Sequence, residues 1–117
     1  VISLPMWNFS IPYKLKHYID VLVQPGYTFS VSHEEGYKGL VTGKKMLLIY
    51  ARGGAYGSTT GMEPFDLQTR YMETILQFIG FKNISSILIE PTLGSQEEKE
   101  KILNKAKEEA VKVASQY

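Results

Sequence analysis

Five consecutive apolar residues, Met46-Leu47-Leu48-Ile49-Tyr50, run through the middle of the chain with no polar–apolar alternation. A strand of that kind is covered on both faces, as in a parallel sheet. Parallel strands cannot be joined by hairpins and need crossover connections, usually helical. The flanking sequence supplies them. Residues 1–4 are apolar and stop at Pro5, like the last residues of a buried strand. Residues 12–23 read as a helix with Leu15, Tyr18, Ile19 and Leu22 at i, i+3, i+4 and i+7, capped by Ser10, with Pro12 in its first turn and stopped by Pro25-Gly26. Asp66 can cap a second helix reaching about Ile79, with Leu67, Tyr71, Ile75, Phe78 and Ile79 as its stripe and Gly80 at its end. Residues 84–89 form a second buried strand. Ser95 with Glu98 makes a capping box for a third helix, which carries Ile102, Ala106, Ala110 and Val113 on one face.

The order is strand, helix, strand, helix, strand, helix. It predicts an α/β fold with right-handed crossovers on a parallel sheet. Three strands with helices make the C-terminal half of a doubly wound sheet. The chain has no initiator methionine and starts inside an apolar run. Residues 1–117 are therefore expected to be the C-terminal part of a single domain. The remaining segments read as connections: a possible extended piece over 27–31 inside a loop reaching 43, and a long glycine-rich loop over 51–65. Loops of that length in compact domains are commonly functional.

Composition narrows the chemistry. With 117 residues the chain holds one modest core. Formal net charge is +1, and Lys99, Lys101 and Lys105 alternate with glutamates as on a solvated helix face. Neither pattern suggests nucleic acid. There is no cysteine, so disulfides, thiolate metal sites and cysteine nucleophiles drop out. No apolar run approaches a membrane span, and no basic n-region opens the chain. The sequons at Asn8 and Asn83 are read as unmodified, and a cytoplasmic protein is expected. His17 and His33 lack partners at metal-ligand spacing, so no metal is expected. Neither GxGxxG nor a Walker A motif is present, and Ser3 and Ser10 have no GxSxG setting. The acidic pairs Glu34-Glu35 and Glu97-Glu98 read as solvated turns and a helix start. A chain with no evident acid, base or nucleophile fits a protein whose cofactor does the chemistry.

Ligands of open α/β sheets bind beyond the carboxyl ends of the strands. Two loops leave such ends here: Pro5-Met6-Trp7-Asn8-Phe9-Ser10 and Ala51-Arg52-Gly53-Gly54-Ala55-Tyr56-Gly57. Gly53 and Gly54 permit close backbone approach and expose N–H groups. Trp7, Phe9 and Tyr56 offer ring faces, and Asn8 carries both donor and acceptor, as a heterocycle edge requires. Each feature has a plainer reading. The two glycines serve a turn, the aromatics plug a core, and Arg52 forms a surface ion pair. The placement of both loops at neighbouring strand ends favours a flat aromatic ligand.

The run Pro5-Met6-Trp7-Asn8-Phe9-Ser10-Ile11-Pro12, followed by Leu15-Lys16 and Tyr18-Ile19-Asp20, resembles the FMN-dependent NADH-azoreductases. So do Gly26 with Thr28-Phe29, the block from Gly39 to Lys45, Arg52-Gly53-Gly54, and Phe78-Ile79-Gly80. The resemblance covers essentially the whole chain. It implies a homodimeric flavodoxin-like fold that passes a hydride from NADH or NADPH through FMN to a quinone or azo compound. By the same resemblance Met6, Trp7, Asn8 and Phe9 hold the isoalloxazine edge. Arg52, Gly53 and Gly54 lie on its pyrimidine side, Ala51 belongs to the same cofactor-binding set, Tyr56 lines the pocket mouth, and Phe78 reaches into the partner's active site. The family commonly has Tyr at the place of Trp7 and often Ser at that of Ala51, so one hydrogen bond to the flavin is lost. The serine-bearing loop that grips the FMN phosphate in that family would lie upstream of Val1. The rival readings are a flavodoxin-like electron carrier and a piece without activity of its own.

Overall fold

The computed structural model describes all residues from Val1 to Tyr117. Eight regular elements follow one another: β1 (Ile2–Pro5), α1 (Tyr13–Leu22), β2 (Phe29–Ser32), β3 (Gly36–Gly39), β4 (Lys45–Ala51), α2 (Leu67–Ile79), β5 (Asn83–Ile89) and α3 (Gln96–Ala114). Strands β1, β4 and β5 form a parallel sheet in that order, with β4 in the centre. The expected α/β architecture is present.

Successive residues of β4 point to opposite faces and sort the core into two layers. Leu48 and Tyr50 join Leu4, with Ile19 of α1 and Met72, Leu76 and Ile79 of α2. Leu47 faces the other way and packs with Ile87 and with Ala106 of α3. Helices on both faces explain why the β4 run shows no alternation. Leu48 is completely enclosed, and its truncation to Ala would cost about 2–5 kcal/mol. No helix is long and apolar enough to cross a membrane.

The helix ends follow local chemistry. Asp66 accepts a hydrogen bond from the Thr69 N–H at 2.9 Å, and Gly80 terminates α2 at φ 119°. Ser95 and Glu98 form the reciprocal box that starts α3.

Several expectations are corrected. Ser10 does not cap α1. Pro12 occupies that position and no side chain caps it. Ser10 is committed instead to a turn with Trp7. Of the α1 stripe only Ile19 is buried, while Tyr18 and Leu22 are exposed. In α2 the buried face is Gln68, Met72, Leu76 and Ile79, and Leu67 is exposed. The polar Gln68 hid that face from a hydrophobic count. Strand β5 is at the sheet edge, and Leu88 on it is exposed.

The extended piece expected over 27–31 overlaps β2, and the segment after it is not all loop: β3 completes an antiparallel hairpin, with Val31 opposite Tyr37 and Phe29 opposite Gly39. The loop over 51–65 contains a 3-10 turn at Glu63–Phe65.

Candidate functional site

The two loops expected to form a site are joined at the carboxyl edge of the sheet. The Met6 N–H, just past β1, donates to the Ala51 carbonyl at the end of β4, at 3.0 Å. Beyond Met6 the chain turns at once. Trp7 and Ser10 exchange both backbone hydrogen bonds at 3.0 Å. The two residues between them, Asn8 and Phe9, have φ of 49° and 68°. Positive φ at both central positions is the mark of a type I′ turn. Asn tolerates that region, whereas a bulky Phe is an outlier there. Backbone strain of this sort persists only where surrounding structure enforces it, and it gathers at ligand sites. Here the enforcement is visible. The Phe9 carbonyl accepts from the N–H of Leu67, which ties the turn to the start of α2. The Phe9 ring lies 5.4 Å from Phe65 and meets Tyr56 edge-on at 6.3 Å. The Trp7 ring is about half exposed.

The second loop is pinned just as closely. The Arg52 N–H donates to Ile89 O at 3.0 Å, Arg52 O accepts from Thr92, and Gly53 O accepts from Leu93. Gly53 and Gly54 are not in the left-handed region. Their value is the missing side chain. A Cβ on Gly53 would meet the Leu93 side chain at 3.1 Å, and one on Gly54 would touch the Tyr56 ring at 3.5 Å.

Arg52 is neither a surface ion-pair residue nor free to reach a ligand with its side chain. It is 2% exposed. Its Nε donates to Glu90 at 2.7 Å, and its terminal nitrogen donates to Asp66 at 2.5 Å and to Thr69 at 3.2 Å. Burial works against the guanidinium charge. The hydrogen bonds and charges of Glu90 and Asp66 more than offset it and raise the pKa above the ordinary value. With one cation and two carboxylates the cluster carries one net negative charge. On this loop, positive electrostatics offered to a ligand must come from backbone N–H groups and not from the Arg52 side chain.

Met6, Trp7, Asn8, Phe9, Ala51, Arg52, Gly53, Gly54 and Tyr56 are thus gathered on one edge. Phe78 is not among them. It sits at the far end of α2, roughly 17 Å along the helix from Leu67, and packs on Phe29 at 4.9 Å and Tyr37 at 5.7 Å. Phe78 therefore cannot roof the site of its own chain. A cavity of about 410 Å³ lies beside Trp7, lined by Asn8, Tyr13, Lys16 and Tyr71 among others. It takes none of its lining from residues 51–57.

This edge fits the ring of a flat cofactor: exposed aromatic faces, a strained turn presenting its backbone, and two residues without side chains. The phosphate end of such a cofactor finds no counterpart in α2 or α3, whose first turns are closed by Asp66 and Glu98. Sequence reasoning missed Glu90 and the second role of Asp66. The signal for Glu90 was its place: the register pairs Ala51 with Ile89, so Arg52 and Glu90 leave neighbouring strands side by side.

Residues 1–114 match the family described as the flavodoxin-like fold. An FMN-dependent NADH:quinone oxidoreductase of Desulfotalea psychrophila is 56% identical over 114 residues, which are 97% of this chain and 53% of that protein. The protein of the same name from Nitratidesulfovibrio vulgaris is 59% identical over 93 residues, 80% of this chain and 44% of that one. Among solved structures, an azoreductase from Bacillus anthracis superposes with a TM-score of 0.87 at 35% identity, covering 97% of this chain and 54% of its own. An FMN-dependent NADH-azoreductase of the same species, solved in complex with FMN, gives 0.86 at 29%, covering 97% of this chain and 52% of its own. The chain spans about half the length of the curated relatives it matches. Its parallel sheet, its helix placement and these matches carry one conclusion: the chain belongs to the flavodoxin-like fold family, alongside azoreductases and FMN-dependent quinone oxidoreductases.

Proposed function

We propose that this chain is the C-terminal part of a single flavodoxin-like domain in an FMN-dependent oxidoreductase. Its reaction carries a hydride from NADH or NADPH to a quinone or azo compound. The observation that carries the reading is the Met6–Ala51 hydrogen bond, which brings the turn around Asn8 and Phe9 beside Gly53 and Gly54. The names of the relatives supply the substrate classes.

FMN, when bound, supplies the hydride-transfer chemistry. The chain's own residues bind and orient it. Met6, Trp7, Asn8 and Phe9 take the ring edge, with Ala51 beside them at the end of β4. The backbone at Gly53 and Gly54 approaches the pyrimidine side, where its N–H groups favour negative charge on a reduced ring. Tyr56 lines the mouth. Phe78, with the exposed Tyr37 and Val31 of the hairpin, forms an apolar surface suited to a second copy of the protein, as a homodimer with a shared active site requires. The protein acts in the cytoplasm, without nucleic-acid or membrane partners.

The test uses the full-length protein. Purified material should be yellow, bind FMN in a fluorescence titration, and oxidise NADH when a quinone is added. Flavin binding without quinone-dependent NADH oxidation would mark an electron carrier. Absence of flavin binding would remove the reading altogether.

A further inference from the structure

We propose that Glu90 is a positioning residue for the ring end of the cofactor site, holding the loop of residues 53–56 in place together with Arg52. This rests on the functional reading above and assigns a role to a residue outside the two loops.

Glu90 stands immediately after β5, opposite Arg52 across the parallel register. One of its oxygens, Oε2, accepts two hydrogen bonds: from Arg52 Nε at 2.7 Å and from the backbone N–H of Tyr56 at 3.3 Å. The first ties Glu90 to β4 and the second ties it to the far side of the glycine loop. Arg52 completes the bracket. Its guanidinium carbon lies 5.3 Å from the centre of the Tyr56 ring, a cation–π distance. Tyr56 is thus held at its backbone by Glu90 and at its ring by Arg52. Gly54 lies against that ring, and the Phe9 ring meets it edge-on. Glu90 therefore reaches both halves of the site through a single aromatic residue.

The bracket is stiff. Arg52 is enclosed, and Glu90 and Asp66 are largely buried, with side chains 12% and 14% exposed. A buried guanidinium cannot drop either carboxylate without leaving N–H donors and a carboxylate unpaired away from water. Asp66 is also the cap of α2, so it cannot follow Arg52 if the loop shifts. The Tyr56 amide then stays at a fixed distance from β5, and so do the Gly53 and Gly54 N–H groups before it.

The experiment measures dissociation constants of FMN and riboflavin for the full-length protein and for Glu90→Leu and Glu90→Gln. Glu90→Leu should weaken both flavins by about tenfold. Glu90→Gln keeps an acceptor but not the charge, and should lose about threefold. The FMN-to-riboflavin ratio should stay at the wild-type value, because the disturbance lies at the ring and not at the phosphate. The midpoint potential of bound flavin should rise in Glu90→Gln, since a negative charge near the ring has been removed. A residue that merely stabilised the fold would lower the melting temperature and leave these affinities and the potential of the folded protein unchanged. Wild-type affinity for both flavins in either folded variant overturns the proposal, as does a loss confined to FMN. If Glu90→Leu does not fold, Glu90→Gln decides alone. A wild-type protein that binds neither flavin overturns the functional reading first, and this inference with it.

Discussion

Gly39 of β3 and Gly80 at the end of α2 lie backbone against backbone. A Cβ on Gly39 would land on the peptide joining Ile79 to Gly80, and one on Gly80 would come within 2.8 Å of the Val41 carbonyl oxygen. The contact is closed by a hydrogen bond of 2.8 Å from the Val41 N–H to Ile79 O. It sets the hairpin on the last turn of α2 and brings Phe29 and Tyr37 onto Phe78. Gly39→Ala should therefore destabilise the protein by about 1–3 kcal/mol, because backbone cannot yield as a side chain can. The neighbouring Lys38→Ala, which loses only an exposed ion pair with Glu35, should stay within about 0.5 kcal/mol. Chemical denaturation of the two variants beside wild type checks this. Equal stabilities would mean that the hairpin docks loosely.

A second prediction concerns Gln68. It is wholly enclosed in the second position of α2, and neither its amide nitrogen nor its amide oxygen has a partner within the protein. The Tyr50 hydroxyl is in the same position, and its pKa is pushed far up by burial first and then by the charges of Glu73 and Asp66. An unsatisfied buried amide costs about 1–3 kcal/mol. Gln68→Met keeps the length and removes the polar atoms, so it should raise stability by about 1 kcal/mol or more. A fall in the melting temperature would show that the amide is satisfied in solution, by water or by another part of the full-length protein.

A third prediction follows from the cap of α3. The Glu98 carboxylate accepts from the backbone N–H and the hydroxyl of Ser95, and these bonds hold its pKa below the ordinary 4.5. The folded-state pKa is the lower one, so the contribution to stability is present above pH 4.5 and is lost as pH falls through the folded value. Thermal melts of Glu98→Gln and wild type should differ at neutral pH and converge as the solution is acidified below pH 4.5. A difference that persists unchanged in acid would locate the contribution in the side-chain geometry and not in its charge.

The parallel sheet was legible because β4 is sandwiched between helices and shows it in five uninterrupted apolar residues. The caps at Asp66, Gly80 and Ser95 were legible because capping depends on a few residues in series. The hairpin at 29–39 was legible only in its first strand. Both strands are four residues each and mostly exposed. Phe29-Ser30-Val31-Ser32 alternates, but Gly36-Tyr37-Lys38-Gly39 has glycine at both ends and a single apolar residue. Its stability comes from docking on α2, a contact distant in sequence. The same limit applied at the site. Nine of the expected residues meet because they follow strand ends, which topology dictates. That Arg52 turns inward to Glu90 and Asp66 depended on the register between β4 and β5, which no local pattern encodes. The left-handed turn at Asn8 and Phe9 has only Asn8 as its sequence signal, and Phe9 argues against it.

The last prediction concerns Phe78, whose spacing placed it in the core and whose resemblance to a family residue placed it at a partner's active site. Within its own chain it is only partly buried. Its ring packs at the margin of the main core, under Phe29 and the largely exposed Tyr37, at the opposite end of α2 from the Asn8 turn. A half-covered ring loses less on truncation than an enclosed one, so Phe78→Ala should cost about 1–3 kcal/mol. If this aromatic cluster is where a second copy docks, the variant should also weaken the dimer in analytical ultracentrifugation and change the quinone KM of the dimer that remains. Tyr37→Ala separates the two effects. Its ring is 70% exposed, so it should leave melting nearly unchanged while weakening the dimer in the same way. Both variants sedimenting as wild type, with kinetics intact, would confine Phe78 to packing the hairpin onto α2 and remove the shared active site from this face of the molecule.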